Sequence, residues 1–244
     1  MGTVYTALRK AGEGKELFRP TGSGGGPGGT VRRLLAPEAR RLFSGIYNNL
    51  LVSAGVTRPR IVLVCSTSEG EGATTVASGL AIAAAEQRAG QVLLVDGNCH
   101  RPKICKAFGV ENQSGLGDLW AGSMVANNVV KKTTILDLSV MGAGVIPGDH
   151  IRALEPPKFR DLLERLTAKY QFILVDGPPV NAHPESVLYA CQVDRVLLVV
   201  RSGVTRGPVA AKALAKLSAG GCERVEVVLN RRAFDIPQAV YRRL

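Results

Sequence analysis

Ile61-Val-Leu-Val-Cys-Ser-Thr-Ser-Glu-Gly-Glu-Gly-Ala-Thr-Thr75 is the stretch from which the rest of the chain is read. Ile61 to Cys65 is a continuous apolar run of strand length, as expected for a strand covered on both faces. A glycine-rich turn follows. Thr74 to Gln87 then reads as a helix rich in Ala and Gly, suited to close packing on a sheet. A strand that passes through such a turn into a helix N-terminus is a frame for binding phosphate. Gly70 and Gly72 let the backbone curl so that successive N–H groups face one anion, and the helix dipole adds to that field. Thr74 falls where a phosphate loop places the hydroxyl that holds Mg²⁺, whereas position 73, where the mobile Lys belongs, is Ala. Gly70, Glu71, Gly72, Ala73, Thr74 and Thr75 are therefore candidate nucleotide-binding residues. The plain alternative is a glycine turn without a ligand.

Outward from this unit the pattern repeats. Further strands are expected at residues 91–96, 135–141, 172–176, 195–200 and 225–229, and helices at 37–51, 158–170, 184–191 and 207–219. Apolar strands alternating with helices predict one α/β domain, a doubly wound and mainly parallel sheet with helices on both faces. Two strands end in an acid, Val92-Leu-Leu-Val-Asp96 and Phe172-Ile-Leu-Val-Asp176. Parallel strands bring both acids to the C-terminal sheet edge beside the glycine turn, where ligands of such folds bind. Asp96 is placed to orient a metal-bound water or accept a substrate proton, and Asp176 to hold Mg²⁺ through water. Thr74, Asp96 and Asp176 form the candidate Mg²⁺ set. An isolated acid at a strand end is usually a turn former, but two beside a phosphate loop are more specific.

Composition narrows the classes. With 244 residues, 45% of them hydrophobic and 21% charged, the chain can build a large core, which excludes wholesale disorder. Its apolar runs are too short to span a bilayer and its first ten residues lack a secretory signal, so a cytoplasmic protein is expected. Cys65, Cys99, Cys105, Cys191 and Cys222 contain no C-x-x-C, and His100, His150 and His183 give no ligand-like spacing beside them, so neither a disulfide framework nor structural zinc is expected. The net charge of +11 sits in the ends: +7 in residues 1–60, +3 in 231–244 and only +1 between. That suits an anionic membrane surface or an acidic partner better than a DNA-reading face, and argues against nucleic acid as a ligand; solvated tail charge is the bland reading.

The ends also differ in texture. Val4, Leu8 and Ala11 have helical spacing, so residues 1–19 read as a helical segment, 20–35 as a Gly-rich flexible linker, 36–232 as the folded domain and 233–244 as a basic tail. Ile236, Val240 and Leu244 recur every four residues beside Arg242 and Arg243, a small helix that either touches a membrane or packs back on the domain.

Taken in order, Glu69-Gly-Glu-Gly-Ala-Thr-Thr75, Leu93-Leu-Val-Asp-Gly-Asn-Cys-His-Arg-Pro102, Gly115-Leu-Gly-Asp-Leu119, Ile173-Leu-Val-Asp-Gly-Pro-Pro-Val180 and Val227-Val-Leu-Asn230 resemble the Walker A, A′ and B motifs and flanking segments of bacterial tyrosine kinases. The resemblance runs through about residues 36–232, and these proteins belong with the partition and septum-site P-loop ATPases. It implies ATP or ADP with Mg²⁺ as cofactors, Arg101 as a nucleotide contact, Asn230 near the base, and a role in capsule or exopolysaccharide assembly. It further implies a partner, the cytoplasmic tail of a membrane polysaccharide co-polymerase, and a peripheral place at the inner membrane face.

Departures from the family pattern are equally informative. Ala73 replaces the Walker A Lys, and Asn98 replaces the second acid of the A′ motif. The terminal tyrosine cluster shrinks to Tyr241, a candidate phosphosite. The ring-building Glu-x-x-Arg-x-x-Arg motif is incomplete in both registers, Glu38/Arg41/Ser44 and Arg41/Ser44/Tyr47, which leaves a homo-oligomer open. Four weakened kinase features predict a regulatory pseudokinase. The alternatives are an active kinase in which Arg101 or Lys103 stands in for the Lys, and a positioning ATPase that binds membrane or DNA through its basic ends.

Overall fold

Ile61–Ser66 forms strand β2, and all six of its residues are buried. In the computed structural model, which describes residues 4–5, 37–53, 60–87, 89–111, 114–145 and 158–231, it lies near the middle of an eight-stranded sheet. The other strands are β1 (Val4–Tyr5), β3 (Val92–Asp96), β4 (Val130–Lys132), β5 (Leu138–Met141), β6 (Phe172–Asp176), β7 (Arg195–Arg201) and β8 (Val225–Asn230). Their order is β1-β8-β7-β2-β6-β3-β5-β4, and every pair is parallel except β4 with β5. The doubly wound α/β architecture expected from the sequence is thus the one observed.

Alternate residues of the central strands divide between two cores. Val62, Val64, Leu94 and Leu174 face one cluster with helices α1 (Pro37–Ser53) and α2 (Ala73–Glu86). Ile61, Leu63, Leu93 and Ile173 face the other, with α6 (Lys158–Leu166), α7 (Glu185–Ala190) and α8 (Gly207–Ala219). Between β3 and β4 run three short helices, α3 (Ile104–Phe108), α4 (Leu116–Trp120) and α5 (Ala126–Val129).

Several boundaries differ from those expected. Val4 and Tyr5 form an edge strand against Val227 and Val228, so the helical reading of residues 4–11 fails at its start. A β-branched and an aromatic residue beside an open strand edge gain ladder hydrogen bonds that a short isolated helix cannot supply. The strand expected from residue 135 begins only at Leu138, because Asp137 turns the chain with φ 61°. Helix α6 stops at Leu166, short of Tyr170. The linker, the rest of the N-terminal segment, the basic tail, His150 and Tyr241 lie outside the described residues. Tyr47 is buried with its ring edge-on to Phe172 at 5.4 Å, so in the second ring-motif register this position belongs to the core.

Eleven of the fourteen residues of α2 are buried, because the helix lies between the sheet and α1. Gly79 lets the Phe43 ring of α1 rest on the helix backbone, and a Cβ there would collide with that ring. Gly to Ala inside a helix ordinarily stabilises by up to about 1 kcal/mol, but overpacking costs about 1–3 kcal/mol. Gly79→Ala should therefore lower the melting temperature, and Phe43→Leu should partly restore it in the double variant. A rise in melting temperature for Gly79→Ala alone would show that α1 yields freely.

Candidate nucleotide site

Helix α2 begins without a side-chain cap. Gly72 precedes it in the left-handed region at φ 99°, and the first bond of its ladder runs from the Val76 N–H to the Gly72 carbonyl, 3.0 Å. The N–H groups of Ala73, Thr74 and Thr75 consequently have no partner within the helix and form its positive end. Gly70 also lies at positive φ, 78°, so the two glycines make the curl expected of them. Ala73 is buried at the first helical position, and Thr74 and Thr75 are half-buried beside it.

The loop is held from inside by its own glutamate. Buried Glu71 accepts the Thr67 N–H at 2.7 Å, the Ser68 N–H at 3.0 Å and the Thr67 hydroxyl, and the Thr205 hydroxyl donates to it from the turn after β7. Its carboxylate therefore braces the loop from inside, where a phosphate anion would be repelled, so any part Glu71 takes in binding falls to its backbone and not its side chain. Asn230 is buried beneath the loop and donates through Nδ2 to the Glu71 carbonyl, 2.8 Å. Expected near the base, its amide is engaged in supporting the turn.

Asp96 and Asp176 end adjacent strands in direct register. Both are buried, yet their environments differ. Asp96 accepts N–H groups from Asn98 (3.2 Å), Lys103 (2.8 Å) and Ile104 (2.9 Å), and so caps α3. Burial nevertheless raises its pKa to about 6, against the lowering effect of those bonds and of the Lys103 ammonium. No hydrogen bond of good geometry reaches either oxygen of Asp176, and both are shut off from solvent. Burial first, and then the neighbouring Asp96 charge, push it well above the usual carboxylate range, while the Thr74 side chain and Lys103 favour its ionised form. Two bare, buried oxygens next to a Thr hydroxyl suit a hard divalent cation such as Mg²⁺.

Arg101 lies across the mouth of the loop, where its guanidinium pairs with the exposed Glu69. Asn98 closes the turn before it by accepting the Arg101 N–H at 3.2 Å. The structure thus brings Gly70, Gly72, Ala73, Thr74, Thr75, Asp96, Asp176 and Arg101 around one sheet edge. It also joins His100, His183 and Glu185, which sequence spacing did not connect.

No protein-family model matches the chain. Tyrosine-protein kinase YwqD of Bacillus subtilis is 28% identical over 188 residues, 77% of this chain and 79% of its own. The solved VpsO kinase domain is 30% identical and superimposes with a TM-score of 0.72, covering 83% of this chain and 98% of that domain. The chain belongs to the bacterial tyrosine kinase family. Within this family fold, the septum-site-determining protein MinD of Pyrococcus horikoshii, solved with Mg-ADP, is a more distant likeness at 22% identity and TM-score 0.60, with 75% of this chain and 76% of MinD covered. That match speaks for the shared P-loop fold alone.

Two consequences are measurable. A Cβ on Gly72 would strike the Asn230 amide at a backbone angle that L-residues avoid, so Gly72→Ala should cost about 1–3 kcal/mol and abolish nucleotide binding; unchanged thermal stability would contradict this packing. The raised pKa values of the two acids fix a sign for pH. From the unfolded carboxylate pKa, about 3.9, up to the folded value of about 6 for Asp96, the folded state holds more protons, so these acids lower stability as pH rises through that window and above. Asp176→Asn should accordingly stabilise the metal-free protein at pH 7 by about 1–2 kcal/mol, or about 2–8 °C, with a smaller gain at pH 4. Denaturant melts at the two pH values test this, and an equal effect at both would refute it.

Proposed function

We propose that this chain is a kinase-like P-loop regulatory protein of capsule or exopolysaccharide biosynthesis and export, which transfers phosphate weakly or not at all. The observation that carries the reading is Ala73, a methyl group at the first position of α2 where the family places its phosphate-binding Lys. A charge-assisted hydrogen bond contributes about 1.5–3 kcal/mol, so its loss weakens ATP binding about 10- to 100-fold. Transfer suffers more, because phosphoryl transfer depends on positioning and on charge at the γ-phosphate.

What the chain retains is a binding apparatus. The N–H groups at the start of α2 are placed to donate to phosphate oxygens, and Thr74 with Asp176 is placed to hold Mg²⁺. When bound, Mg²⁺ supplies positive charge to the phosphates. Asp96, held by three N–H bonds, is positioned to accept a proton from a hydroxyl. No helix among the described residues is long and apolar enough to cross a membrane. The reading places the protein in the cytoplasm, at the inner membrane face beside the cytoplasmic tail of a polysaccharide co-polymerase.

One observation favours a second reading, an active kinase. The Lys103 charge favours the ionised form of both Asp96 and Asp176, so a cation already stands near the site. Equilibrium binding of Mg·ATP and Mg·ADP, with transfer of labelled phosphate to tyrosine, separates the two. Under the regulatory reading the wild type binds both nucleotides in the micromolar range, Asp176→Ala loses binding, Ala73→Lys binds ATP about 10- to 100-fold more tightly, and wild-type transfer is at background. Transfer by the wild type that disappears in Asp96→Ala and Lys103→Ala would establish the kinase instead.

A further inference from the structure

The turn after β3 and the turn after β6 carry a second group of potential ligands beside the nucleotide site. His100 stands on the first turn, and His183 on the second; Glu185 opens α7. One ligand atom from each of the three lies within 4.8 Å of the others. His100 Nε2 is 3.0 Å from Glu185 Oε1, and the two imidazole rings stack at 3.9 Å between centroids, 24° from parallel. Glu185 is only 2% exposed, whereas His100 is over a third exposed in its side chain.

We propose that His100, His183 and Glu185 form a site for a divalent transition metal of the zinc class. Two imidazoles and one carboxylate are the donors that Zn²⁺, Co²⁺ and Ni²⁺ accept, whereas Mg²⁺ and Ca²⁺ take oxygen ligands. A tetrahedral ion with bonds of about 2.1 Å holds its ligand atoms about 3.4 Å apart, so the group must close by little more than an ångström. The exposed His100 ring can make that movement by tilting off its stack. The scaffold around it is fixed: the Tyr189 hydroxyl of α7 donates to the Gly97 carbonyl at 3.1 Å, Gly97 N–H donates to the Asp176 carbonyl at 2.9 Å, and the Ser186 hydroxyl donates to the Pro178 carbonyl. Both turns are thereby tied together before any ion arrives. Three protein ligands leave at least one coordination position for water or another ligand. An ion here joins the turn that carries Arg101 and Lys103 to the turn that follows Asp176, and it is separate from the Mg²⁺ position at Thr74 and Asp176.

Titration of the untagged full chain with Co²⁺, without nucleotide or Mg²⁺, followed by visible absorption and competition with Zn²⁺, tests the proposal. One Co²⁺ per chain should bind with the bands of a four- or five-coordinate nitrogen and oxygen site, and one Zn²⁺ should displace it. His183→Ala and His100→Ala should each weaken binding at least about tenfold, and in each the Zn²⁺-induced rise in melting temperature, measured against that variant's own metal-free value, should disappear. No uptake at a tenfold excess of Co²⁺, uptake unaltered in both histidine variants, or a spectrum dominated by thiolate charge transfer would each overturn the assignment, leaving an ordinary hydrogen-bonded His–Glu pair with a stacked neighbour.

Discussion

Two carboxylates buried side by side on neighbouring parallel strands set the terms for everything at this edge of the sheet. In a low-dielectric interior like charges repel strongly, and each carboxylate also pays for lost hydration. The protein treats the two unequally. Asp96 receives three backbone N–H groups and the field of Lys103, so its charge is partly met by the fold itself. Asp176 receives no well-formed hydrogen bond, so beyond the Thr74 side chain and the field of Lys103 its charge is left unmet. This asymmetry separates an acid that organises the A′ turn from one whose buried oxygens stay bare.

The phosphate loop shows the opposite strategy. Glu71 satisfies N–H groups at the start of the loop, Thr205 ties it to the turn after β7, and Asn230 ties it to the end of β8. The loop therefore keeps its shape through contacts that do not involve position 73. This explains how alanine is accommodated there: the missing Lys takes no structural bond with it. The geometry of the loop thus does not depend on the residue at position 73, which is what the proposed loss of transfer with retained binding requires.

The central strands, both acids and the glycine curl were legible in the sequence because each is a local pattern: apolar runs, acids at strand ends, and Gly where positive φ is needed. What escaped depends on contacts between distant segments. Val4–Tyr5 becomes a strand only because β8 offers a free edge. Val130–Lys132 is three residues long and antiparallel, too short for periodicity to register. The inward turn of Glu71 could not be distinguished from a ligand-facing one by spacing. His100 and Glu185 lie 85 residues apart, so no linear motif joins them. Their signal was topological, since each follows a strand that ends in one of the paired acids, and those strands prove to be neighbours.

On the function proposed above, that topology gives the two turns a shared part in discriminating nucleotides. In a P-loop the backbone N–H groups cradle the α- and β-phosphates, whereas the Lys reaches the β- and γ-phosphates. With Ala at position 73, the loop retains the part of recognition common to ATP and ADP and loses much of the part that tells them apart. Any remaining preference for the γ-phosphate must come from cations outside the loop. The described candidates are Arg101, held to Glu69 across the loop mouth, and Lys103, whose charge reaches both acids. Both reside on the turn that His100 joins to His183 and Glu185. On the function proposed above, control by nucleotide state would act through the position of the A′ turn, and whatever fixes that turn would fix what the site can sense.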